Sequence, residues 1–306
     1  MRFAIMGAGG VGGYYGAQLA QAGNEVTFVA RGDHLAAMQT NGLTIHDRDG
    51  DFTLNPVSAT DDVSSIGPVD AVLMCVKLYD TETAAMQIKP LLGPDSIVVT
   101  LQNGVEAPEI VEAVVGNGRT LGGATYISAT IEAPGAIRRN NDLTRIEFGE
   151  PDGPASDRAG ALAENFKAAG LDASAVDDMA ALLWSKFVLL SANSGMTAMT
   201  RQTTGEIRAD PVMRQTFHAA LAETVAVGRA RGVALPDNIE QSCTQWLDTN
   251  APIKASLLVD LERGRRLEAA WLSGAVHRLG QEVGVPTPTH TTIFAALRPF
   301  ADGSGS

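Results

Sequence analysis

The chain has 306 residues, which exceeds the size at which one hydrophobic core usually stops growing, so two domains are expected. Its 23 basic and 35 acidic residues give a formal net charge of −12 without any cluster of Lys and Arg, which argues against nucleic acid and anionic membrane surfaces as partners. No apolar stretch is long enough for a membrane span. The two isolated cysteines, Cys75 and Cys243, are typical of reduced thiols in a cytoplasmic protein.

The chain opens with an apolar run, Arg2 to Met6, followed by a glycine-rich turn, a helical pattern and a second apolar run from Glu25 to Ala30. This strand, turn, helix and strand order is typical of a dinucleotide-binding unit. Gly7 would allow the tight turn, Gly9 would let the backbone approach a pyrophosphate, and Gly12 would let the helix pack closely on the sheet. The pyrophosphate would lie on the helix N-terminus. The loop residues expected to bind the cofactor are Gly7, Gly9, Gly10, Val11 and Gly12.

Arg31 follows the second strand at the position where sites that prefer NAD usually have Asp or Glu. A guanidinium there can bind the 2′-phosphate, so the sequence predicts NADP(H) as the cofactor. The alternative is that Arg31 is solvated and that Asp33 contacts the ribose. Asp33 also fits a helix N-cap, because a helical pattern follows it.

Up to about residue 176, short apolar runs alternate with amphipathic helices, which predicts an α/β fold with a doubly wound, Rossmann-type sheet. Residues 43–46 and 52–56 are predicted to form a hairpin that turns at Asp49-Gly50. Further strands are expected at 69–76, 97–101, about 120–123 and about 144–148. Lys77 and Asn103 follow the first two of these strands, at the strand ends where open α/β sheets bind ligands.

From about residue 177 the pattern becomes helical, which predicts an all-α substrate and dimerisation domain over 177–300 after an NADP-binding domain over 1–176. Helices are expected near 178–192, 211–231, 238–248, 267–283 and 289–297. Leu and Ala faces in this half favour a homodimer. Residues 301–306 are interpreted as a flexible tail.

Three residues of the helical half are candidates for chemistry. Lys186 lies in an apolar segment, so its ammonium either reaches water or is held at a cleft. Glu268 is either functional or a first-turn glutamate favoured by the helix dipole. Ser256 precedes it by 12 residues, and its simpler interpretation is a helix or turn hydroxyl. The five histidines and the cysteines show no ligand spacing, so no metal is expected.

The chain resembles the ketopantoate reductases (2-dehydropantoate 2-reductases) over nearly its whole length. The resemblance is carried by the glycine-rich start, Val29-Ala30-Arg31, Cys75-Val76-Lys77, Gln102-Asn103-Gly104, Trp184-x-Lys186-Phe187 and the spacing from Ser256 to Glu268. It implies an oxidoreductase that uses NADPH to reduce a small 2-oxo acid, ketopantoate, to pantoate.

The resemblance also implies roles for individual residues. Lys186 matches the catalytic lysine, which hydrogen-bonds the substrate keto oxygen and acts as general acid when hydride arrives from NADPH. Glu268 matches a carboxylate that orients the substrate and the lysine, and Ser256 matches a contact to the substrate carboxylate. Asn103 and Lys77 match polar residues of the cofactor side and the active site. Such a lysine both stabilises the developing alkoxide and supplies its proton.

Three asparagines that the family uses to hold the substrate's carboxylate and hydroxyl groups are replaced here, by Leu190, Ser194 and Thr204, and Gly195 replaces a family proline. Leu190 cannot hydrogen-bond a hydroxyl, and a buried hydroxyl without a partner costs about 1–3 kcal/mol. One hypothesis is therefore an enzyme for a more apolar 2-oxo acid or another carbonyl compound. Asn193 does not count as a substitute for Ser194, because a shift of one residue turns it by about 100° around a helix.

The competing hypothesis is that polar side chains near these positions rebuild the contacts, so that the chain is a true ketopantoate reductase. A third hypothesis, from a different class, is an NADP-binding sensor without turnover, because a dinucleotide fold does not establish chemistry. The retained Lys186, Glu268, Asn103 and Ser256 argue against a sensor.

Overall fold

The computed structural model describes residues 1–303, and the chain divides into two compact units, one spanning Met1–Met179 and the other beginning at Ala180. The first unit is an α/β unit and the second is helical. The predicted fold class, a Rossmann-type sheet followed by an all-α part, is confirmed.

The strands of the first unit form two sheets. In chain order they are β1 (Arg2–Met6), β2 (Glu25–Val29), β3 (Leu43–His46), β4 (Phe52–Leu54), β5 (Ser58–Thr60), β6 (Val69–Met74), β7 (Leu92–Thr100), β8 (Thr120–Thr125), β9 (Ala129–Ala133), β10 (Ala136–Arg139), β11 (Ile146–Gly149) and β12 (Ala173–Ala175). The larger sheet has the order β12-β11-β8-β7-β6-β1-β2-β5, and β8 and β11 are its antiparallel pair.

The strand order reverses at β1, which pairs with β2 on one side and with β6 on the other. Met6 lies opposite Val29 and Met74, and Met74 lies opposite Thr100. The carboxyl ends of β1, β2, β6 and β7 therefore meet at one edge of the sheet. In open α/β sheets, ligands bind at such a switch point.

Both faces of this sheet are buried, as a parallel sheet requires. Alternate residues of β1 show this, because Ile5 belongs to the core on one face while Ala4 and Met6 belong to the core on the other. The covering helices of the unit are α1 (Gly10–Gln21), α2 (Gly32–Asn41), α3 (Thr81–Gln87), α4 (Ala107–Val115) and α5 (Asp157–Ala168).

The predicted hairpin is present as β3 and β4, with Leu43 opposite Leu54. It pairs with β10 in a separate sheet of order β4-β3-β10-β9. Strands β9 and β10 were not predicted, because they are short and much of β9 is exposed, which leaves a weak apolar pattern. The small sheet approaches α1 so closely that a Cβ on Gly10 would lie 2.0 Å from the carbonyl oxygen of Ala129.

A buried ion pair also ties the small sheet to α1. Asp47, after β3, accepts hydrogen bonds from the Tyr14 hydroxyl on α1 (2.8 Å) and from Arg139 Nε on β10 (2.7 Å). Desolvation opposes ionisation of Asp47, but these hydrogen bonds lower its pKa below the ordinary value. Burial, reinforced by Asp47, raises the pKa of Tyr14.

The helices that follow are α6 (Met179–Thr200), α7 (Thr204–Ala209), α8 (Pro211–Ala230), α9 (Ile239–Thr249), α10 (Ser256–Glu262), α11 (Ser273–Val283) and α12 (Pro288–Leu297). Helix α6 continues eight residues past the predicted end near 192. The hydroxyls of Thr197 and Thr200 donate to carbonyls four residues earlier, so these polar residues are satisfied inside the helix. Arg201, with φ of 58°, follows the last residue of α6.

The helix predicted over 267–283 is wrong in its first part. Residues 269–271 form a short 3-10 turn, and the backbone breaks at Leu272 (φ −106°, ψ −101°) before α11 begins. A close contact accompanies this break, because a Cβ on Gly274 would lie 3.0 Å from the Phe294 ring. Glu268 therefore precedes the 3-10 turn and is not a first-turn residue of α11.

The start of α12 is capped from another helix. Glu223 of α8 accepts hydrogen bonds from the backbone N–H groups of Thr289 (2.7 Å) and His290 (2.9 Å). His290 is fully buried, and its Nε2 lies 3.0 Å from the Ala220 carbonyl oxygen. Burial lowers the pKa of His290 to about 4, so the ring is neutral at pH 7.

Residues 301 and 303, which fall in the segment predicted as a tail, make backbone hydrogen bonds. The backbone N–H of Leu267 donates to the Ala301 carbonyl (2.8 Å), and the Gly303 N–H donates to the Phe300 carbonyl (3.0 Å). Residues 304–306 lie outside the described residues. Within residues 1–303, no helix has the length and apolar character needed to cross a membrane.

Candidate active site

A cavity of about 310 Å³ lies in the first unit at the carboxyl edge of the main sheet. Its lining comes from the segments that follow β1, β2 and β6 and from α2 and α3. These residues include Gly7, Ala8, Gly9, Ala30, Arg31, His34, Cys75, Val76, Lys77, Asp80 and Thr83. The structure thus brings together four residues that the sequence predicts for cofactor binding: Gly7, Gly9, Arg31 and Lys77.

The three glycines of the motif have different surroundings. Gly7 has a φ of 101°, and a Cβ there would lie 3.0 Å from the backbone of Cys75. A Cβ on Gly12 would lie 2.3 Å from the Gly7 carbonyl oxygen and 2.8 Å from Cys75 Cβ, so only glycine lets α1 pack here. A Cβ on Gly9 would have no neighbour within 4 Å, because this position faces open space. The open position beside a tight turn fits a pyrophosphate.

The N-terminus of α1 is prepared for an anion. Gly9 occupies the N-cap position without a side-chain cap, and the first turn contains no acidic residue. First-turn N–H groups lack acceptors within their own helix and carry the positive end of the helix dipole. A phosphate at this position satisfies both properties.

Gly10, Val11 and Gly12 differ from the other predicted cofactor contacts, because they are not among the described residues that line the cavity. Gly10 lies against Ala129 of the small sheet, and Gly12 lies against Gly7 and Cys75. These two glycines therefore position the loop by close packing. Val11 is half-buried in the first turn of α1, where its N–H belongs to the anion-binding end of the helix.

Arg31 and Asp33 are clearly distinguished by the structure. Arg31 is exposed, occupies the N-cap position of α2 and lines the cavity. Asp33 is in the first turn of the helix, so the expectation that it forms the N-cap is wrong. Among the described lining residues, Arg31 is present and Asp33 is not. This placement favours Arg31 as the residue that contacts the ribose end of a cofactor.

The polar residues predicted after β6 and β7 lie at the same edge of the sheet. Lys77 is half-buried and lines the cavity. Asn103 is also half-buried but is not among the described residues that line this cavity. Its neighbour Gln102 is buried and donates to the Thr81 hydroxyl at the start of α3 (3.1 Å), which links the two segments.

Sequence reasoning missed His34, which lies on α2 three residues after Arg31. Its ring connects the glycine-rich loop to the turn between β9 and β10. Nε2 lies 2.9 Å from the Ala8 carbonyl oxygen, and the Gly135 N–H donates to Nδ1 at 3.0 Å. The sequence contained no signal for this contact, because Gly135 is about a hundred residues away and β10 was not predicted.

In the second unit, Lys186 is in the second turn of α6 and is partly exposed. Desolvation by burial lowers the pKa of Lys186 to about 8. A general acid works best when its pKa is near the operating pH, and an ordinary lysine is too basic for that role. The environment of Lys186 therefore gives it the proton affinity that a general acid needs.

Helix α6 is continuous from Met179 to Thr200, so helical geometry fixes which residues share the face of Lys186. Leu190 lies about 40° from it, Asn193 about 20°, and Ser194 about 80°. Asn193 is 8% exposed, and within the described part of the chain its Oδ1 has no hydrogen-bond partner. Asn193 therefore lies closer than Ser194 to the direction of Lys186 around the helix. The sequence alone had not counted Asn193 as a substitute for the family asparagine at position 194.

Ser194 and Thr204, the other two replacements, are both buried. Ser194 Oγ has no partner among the described residues, and a Cβ on the adjacent Gly195 would lie 2.7 Å from Ser273 Oγ. Thr204 begins α7, and its hydroxyl accepts a hydrogen bond from the Ile253 N–H (2.9 Å). The Thr204 hydroxyl therefore holds the segment before α10.

The remaining predicted residues of the second unit have contrasting exposure. Ser256 is exposed and begins α10, whereas Glu268 is 7% exposed and precedes the 3-10 turn, where its carbonyl accepts from the Trp271 N–H (2.9 Å).

Cys75 and Cys243 are free thiols, and burial raises the pKa of each to about 12. Among the described residues, no group of three His, Cys, Asp or Glu side chains is arranged to hold a metal ion.

Comparison with known proteins decides the family. Residues 3–153 match the family model described as ketopantoate reductase PanE/ApbA, and residues 178–301 match the model of its C-terminal part. The chain belongs to the ketopantoate reductase family. It is therefore a member of a family of oxidoreductases, and the resemblance inferred from its motifs is confirmed.

Similar proteins cover nearly the whole length of this family member. It is 35% identical to a 2-dehydropantoate 2-reductase of Mesorhizobium japonicum, over 98% of each chain. A crystal structure of a PanE/ApbA family ketopantoate reductase from Ralstonia eutropha JMP134 has a TM-score of 0.91 at 32% identity and 98% coverage of both chains. A D-mandelate dehydrogenase solved with NADH and anilino(oxo)acetate has a TM-score of 0.90 at 22% identity, with 98% coverage of both chains, which shows a shared fold.

Proposed function

We propose that this protein is an NADPH-dependent 2-dehydropantoate 2-reductase that converts ketopantoate to pantoate. The observation that carries the proposal is the half-buried Lys186, whose pKa is lowered to about 8 by desolvation, in a chain whose two halves both match the ketopantoate reductase family. When bound, NADPH supplies a hydride to C2 of the substrate. Lys186 holds a proton at Nζ and gives it to the keto oxygen as the carbonyl π bond breaks.

The first unit binds the cofactor in this proposal. The N-terminus of α1 and the open position at Gly9 hold the pyrophosphate. Arg31 at the rim of the cavity pairs with the 2′-phosphate, which is why NADPH is favoured over NADH. Lys77 adds a second positive charge to the same cavity. Asn103 contributes an amide at the cofactor side of the active site.

The remaining assignments follow the family pattern. Glu268 orients the substrate and Lys186, and Ser256 binds the substrate carboxylate. The burial of Glu268 suits a positioning carboxylate, and the exposed Ser256 hydroxyl is free of any helix-capping role. The second unit, which begins at Ala180, carries the proposed substrate-binding residues Ser256 and Glu268, and the protein is proposed to act as a homodimer in the cytoplasm. Light scattering during size-exclusion chromatography measures the oligomeric state directly.

The hydroxyl group of ketopantoate needs a partner that Leu190 cannot supply. Asn193 is the best candidate, because it lies one turn beyond Leu190 near the direction of Lys186 and its buried Oδ1 accepts no hydrogen bond from residues 1–303. Helical side chains also lean toward the N-terminus of their helix, which directs Asn193 back toward Leu190 and Lys186. A substrate hydroxyl that donates to Asn193 Oδ1 would satisfy both groups.

A second candidate function is the reduction of a more apolar 2-oxo acid, and Leu190 is the observation that favours it. The shared fold of a D-mandelate dehydrogenase shows that this architecture also serves an enzyme named for an aromatic 2-hydroxy acid. In this case the substrate has no hydroxyl to donate to Asn193 Oδ1, and the amide N–H of Asn193 would donate to the substrate carboxylate.

Substrate selectivity distinguishes the two functions. The test compares kcat/KM for ketopantoate with that for the branched 2-oxo acid that lacks only the hydroxyl, using NADPH and, in parallel, NADH. A preference for ketopantoate that falls about tenfold in Asn193→Val supports the first function. A preference for the deoxy analogue that reverses in Leu190→Asn supports the second. Tight NADPH binding without turnover of any 2-oxo acid would favour a sensor.

A further inference from the structure

His34 makes two hydrogen bonds that connect separate parts of the first unit. Its ring lies between the Ala8 carbonyl of the glycine-rich loop (2.9 Å) and the Gly135 N–H of the β9–β10 turn (3.0 Å). His34 also lines the proposed cofactor cavity, together with Ala8 and Arg31. We propose that His34 is a positioning residue of the cofactor site, whose neutral ring fixes the pyrophosphate loop against the small sheet. The inference rests on the proposed binding of NADPH in this cavity.

The two contacts determine the tautomer of the ring. A backbone N–H can only donate, so Nδ1 of His34 must be the acceptor for Gly135. The Ala8 carbonyl can only accept, so Nε2 must carry the hydrogen. Both bonds exist together only when His34 is neutral.

The position of Ala8 explains why this contact matters for the cofactor. Ala8 lies between Gly7 and Gly9, and glycine has the widest range of backbone conformations of any residue. Its N–H donates to the Val29 carbonyl (3.0 Å), and its carbonyl accepts from His34. The peptide between the two glycines is therefore held from both sides. This arrangement sets the direction of the α1 N–H groups before an anion binds, which lowers the ordering cost of binding.

The small sheet provides the fixed support for His34. A Cβ on Gly135 would lie 3.1 Å from Ala37 Cβ, so the β9–β10 turn packs directly on α2. The Gly10 contact with Ala129 joins the same sheet to the start of α1. The small sheet, α2 and the pyrophosphate loop thus meet at His34. In this proposal, strands β9 and β10, which lie outside the main sheet, support the cofactor site.

Protonation of His34 would remove the acceptor at Nδ1 and place the new Nδ1–H group against the Gly135 N–H. Desolvation lowers the pKa of His34, and the hydrogen bond to Ala8 opposes this only partly. The charged side chains around the same cavity are Arg31, Lys77 and Asp80, and Asp33 lies on the helix of His34. On β9 and β10, Glu132 pairs with Arg138. The part of the cofactor affinity that depends on His34 should therefore be constant above about pH 6.5 and be lost at lower pH as His34 becomes protonated.

Calorimetric titration with NADP⁺, which is stable in acid, tests the inference. The variants are His34→Ala, which removes both bonds, and His34→Gln, whose amide can replace them without titrating. The matched control is Gln39→Ala, which removes a hydrogen bond from α2 to the Ala59 carbonyl and lies away from the cavity. We expect His34→Ala to weaken binding about tenfold at pH 7.5, and Gln39→Ala to leave it unchanged.

The pH dependence separates positioning from simple destabilisation. As the pH falls below the ordinary histidine value of about 6.5, the wild type should lose more affinity than His34→Gln, and titration of the 2′-phosphate cancels because it is common to both proteins. Equal affinity of the wild type and His34→Ala, or equal pH profiles of the wild type and His34→Gln, would overturn the inference. If the wild type itself does not bind NADP⁺, the proposed cofactor fails first, and the inference fails with it.

Discussion

Gly12 on α1 touches the Gly7 carbonyl so closely that a Cβ atom would lie 2.3 Å from its oxygen, while a Cβ on Gly9 would meet nothing within 4 Å. Gly9 has an ordinary φ of −74°. Gly12→Ala should therefore lower the free energy of unfolding by about 1–3 kcal/mol through overpacking. Gly9→Ala should leave it unchanged and weaken NADPH binding, because the methyl group fills the pyrophosphate position. Chemical denaturation and fluorescence titration measure the two effects, and the reverse pattern would contradict the proposed pyrophosphate position.

Arg31→Ala should weaken NADPH binding by about tenfold or more and leave NADH binding nearly unchanged, because only NADPH carries the 2′-phosphate. The measurement is the ratio of the two dissociation constants. Asp33→Ala is the matched control, since Asp33 is on the same helix but outside the residues that line the cavity. An equal loss of both cofactors in Arg31→Ala would mean that Arg31 has a structural role.

Lys186→Met should reduce kcat by about 10²–10⁴-fold while NADPH still binds, because the variant keeps an apolar side chain and loses the proton donor. Lys167→Met, at an exposed pair with Glu164, is the control and should leave kcat unchanged. Retained turnover in Lys186→Met would place the general acid elsewhere.

The pH dependence of the wild type gives an independent test of Lys186. The lysine must be protonated to act as an acid, and burial lowers its pKa to about 8. kcat/KM should therefore fall as the pH rises through about 8. A fall in kcat/KM only near the ordinary lysine pKa of about 10.4 would contradict the assignment.

His290 should make the protein sensitive to acid. Its pKa is about 4 in the folded state because of burial, and about 6.5 in the unfolded chain. Between these values the unfolded state binds more protons, so stability falls as the pH drops from about 6.5 toward 4, by roughly 3 kcal/mol in total. Denaturation of His290→Asn should show a flatter pH profile. Thr292→Val, which removes an exposed hydroxyl on the same helix and leaves the hydrogen bonds of the ring in place, should retain the wild-type slope.

The sequence predicted much of the fold because its strongest signals are local. Strand β1 has the predicted bounds, and Pro211 begins a long helix as expected, since Asp210 and Pro211 form a strong start signal. The small sheet could not be predicted in full, because β3 and β10 pair across about ninety residues. Helix α6 was predicted too short, because Ser and Thr side chains that bond to their own helix resemble a terminus.

In the candidate site, too, local features could be predicted from the sequence and contacts between distant segments could not. The proposed roles of Gly7, Gly9 and Gly12 follow from the motif, because its spacing reflects a local turn. His34 could not be found in this way, because its partner Gly135 comes from a distant segment. The lowered pKa of Lys186 also depends on burial, which the residue pattern alone does not quantify.

The most direct test of the account is NADPH oxidation with ketopantoate, with the product identified by mass spectrometry. The account predicts one pantoate formed for each NADPH consumed by the wild type, and loss of both signals in Lys186→Met. Binding of NADPH without formation of any 2-hydroxy acid, from ketopantoate or from its deoxy analogue, would contradict it.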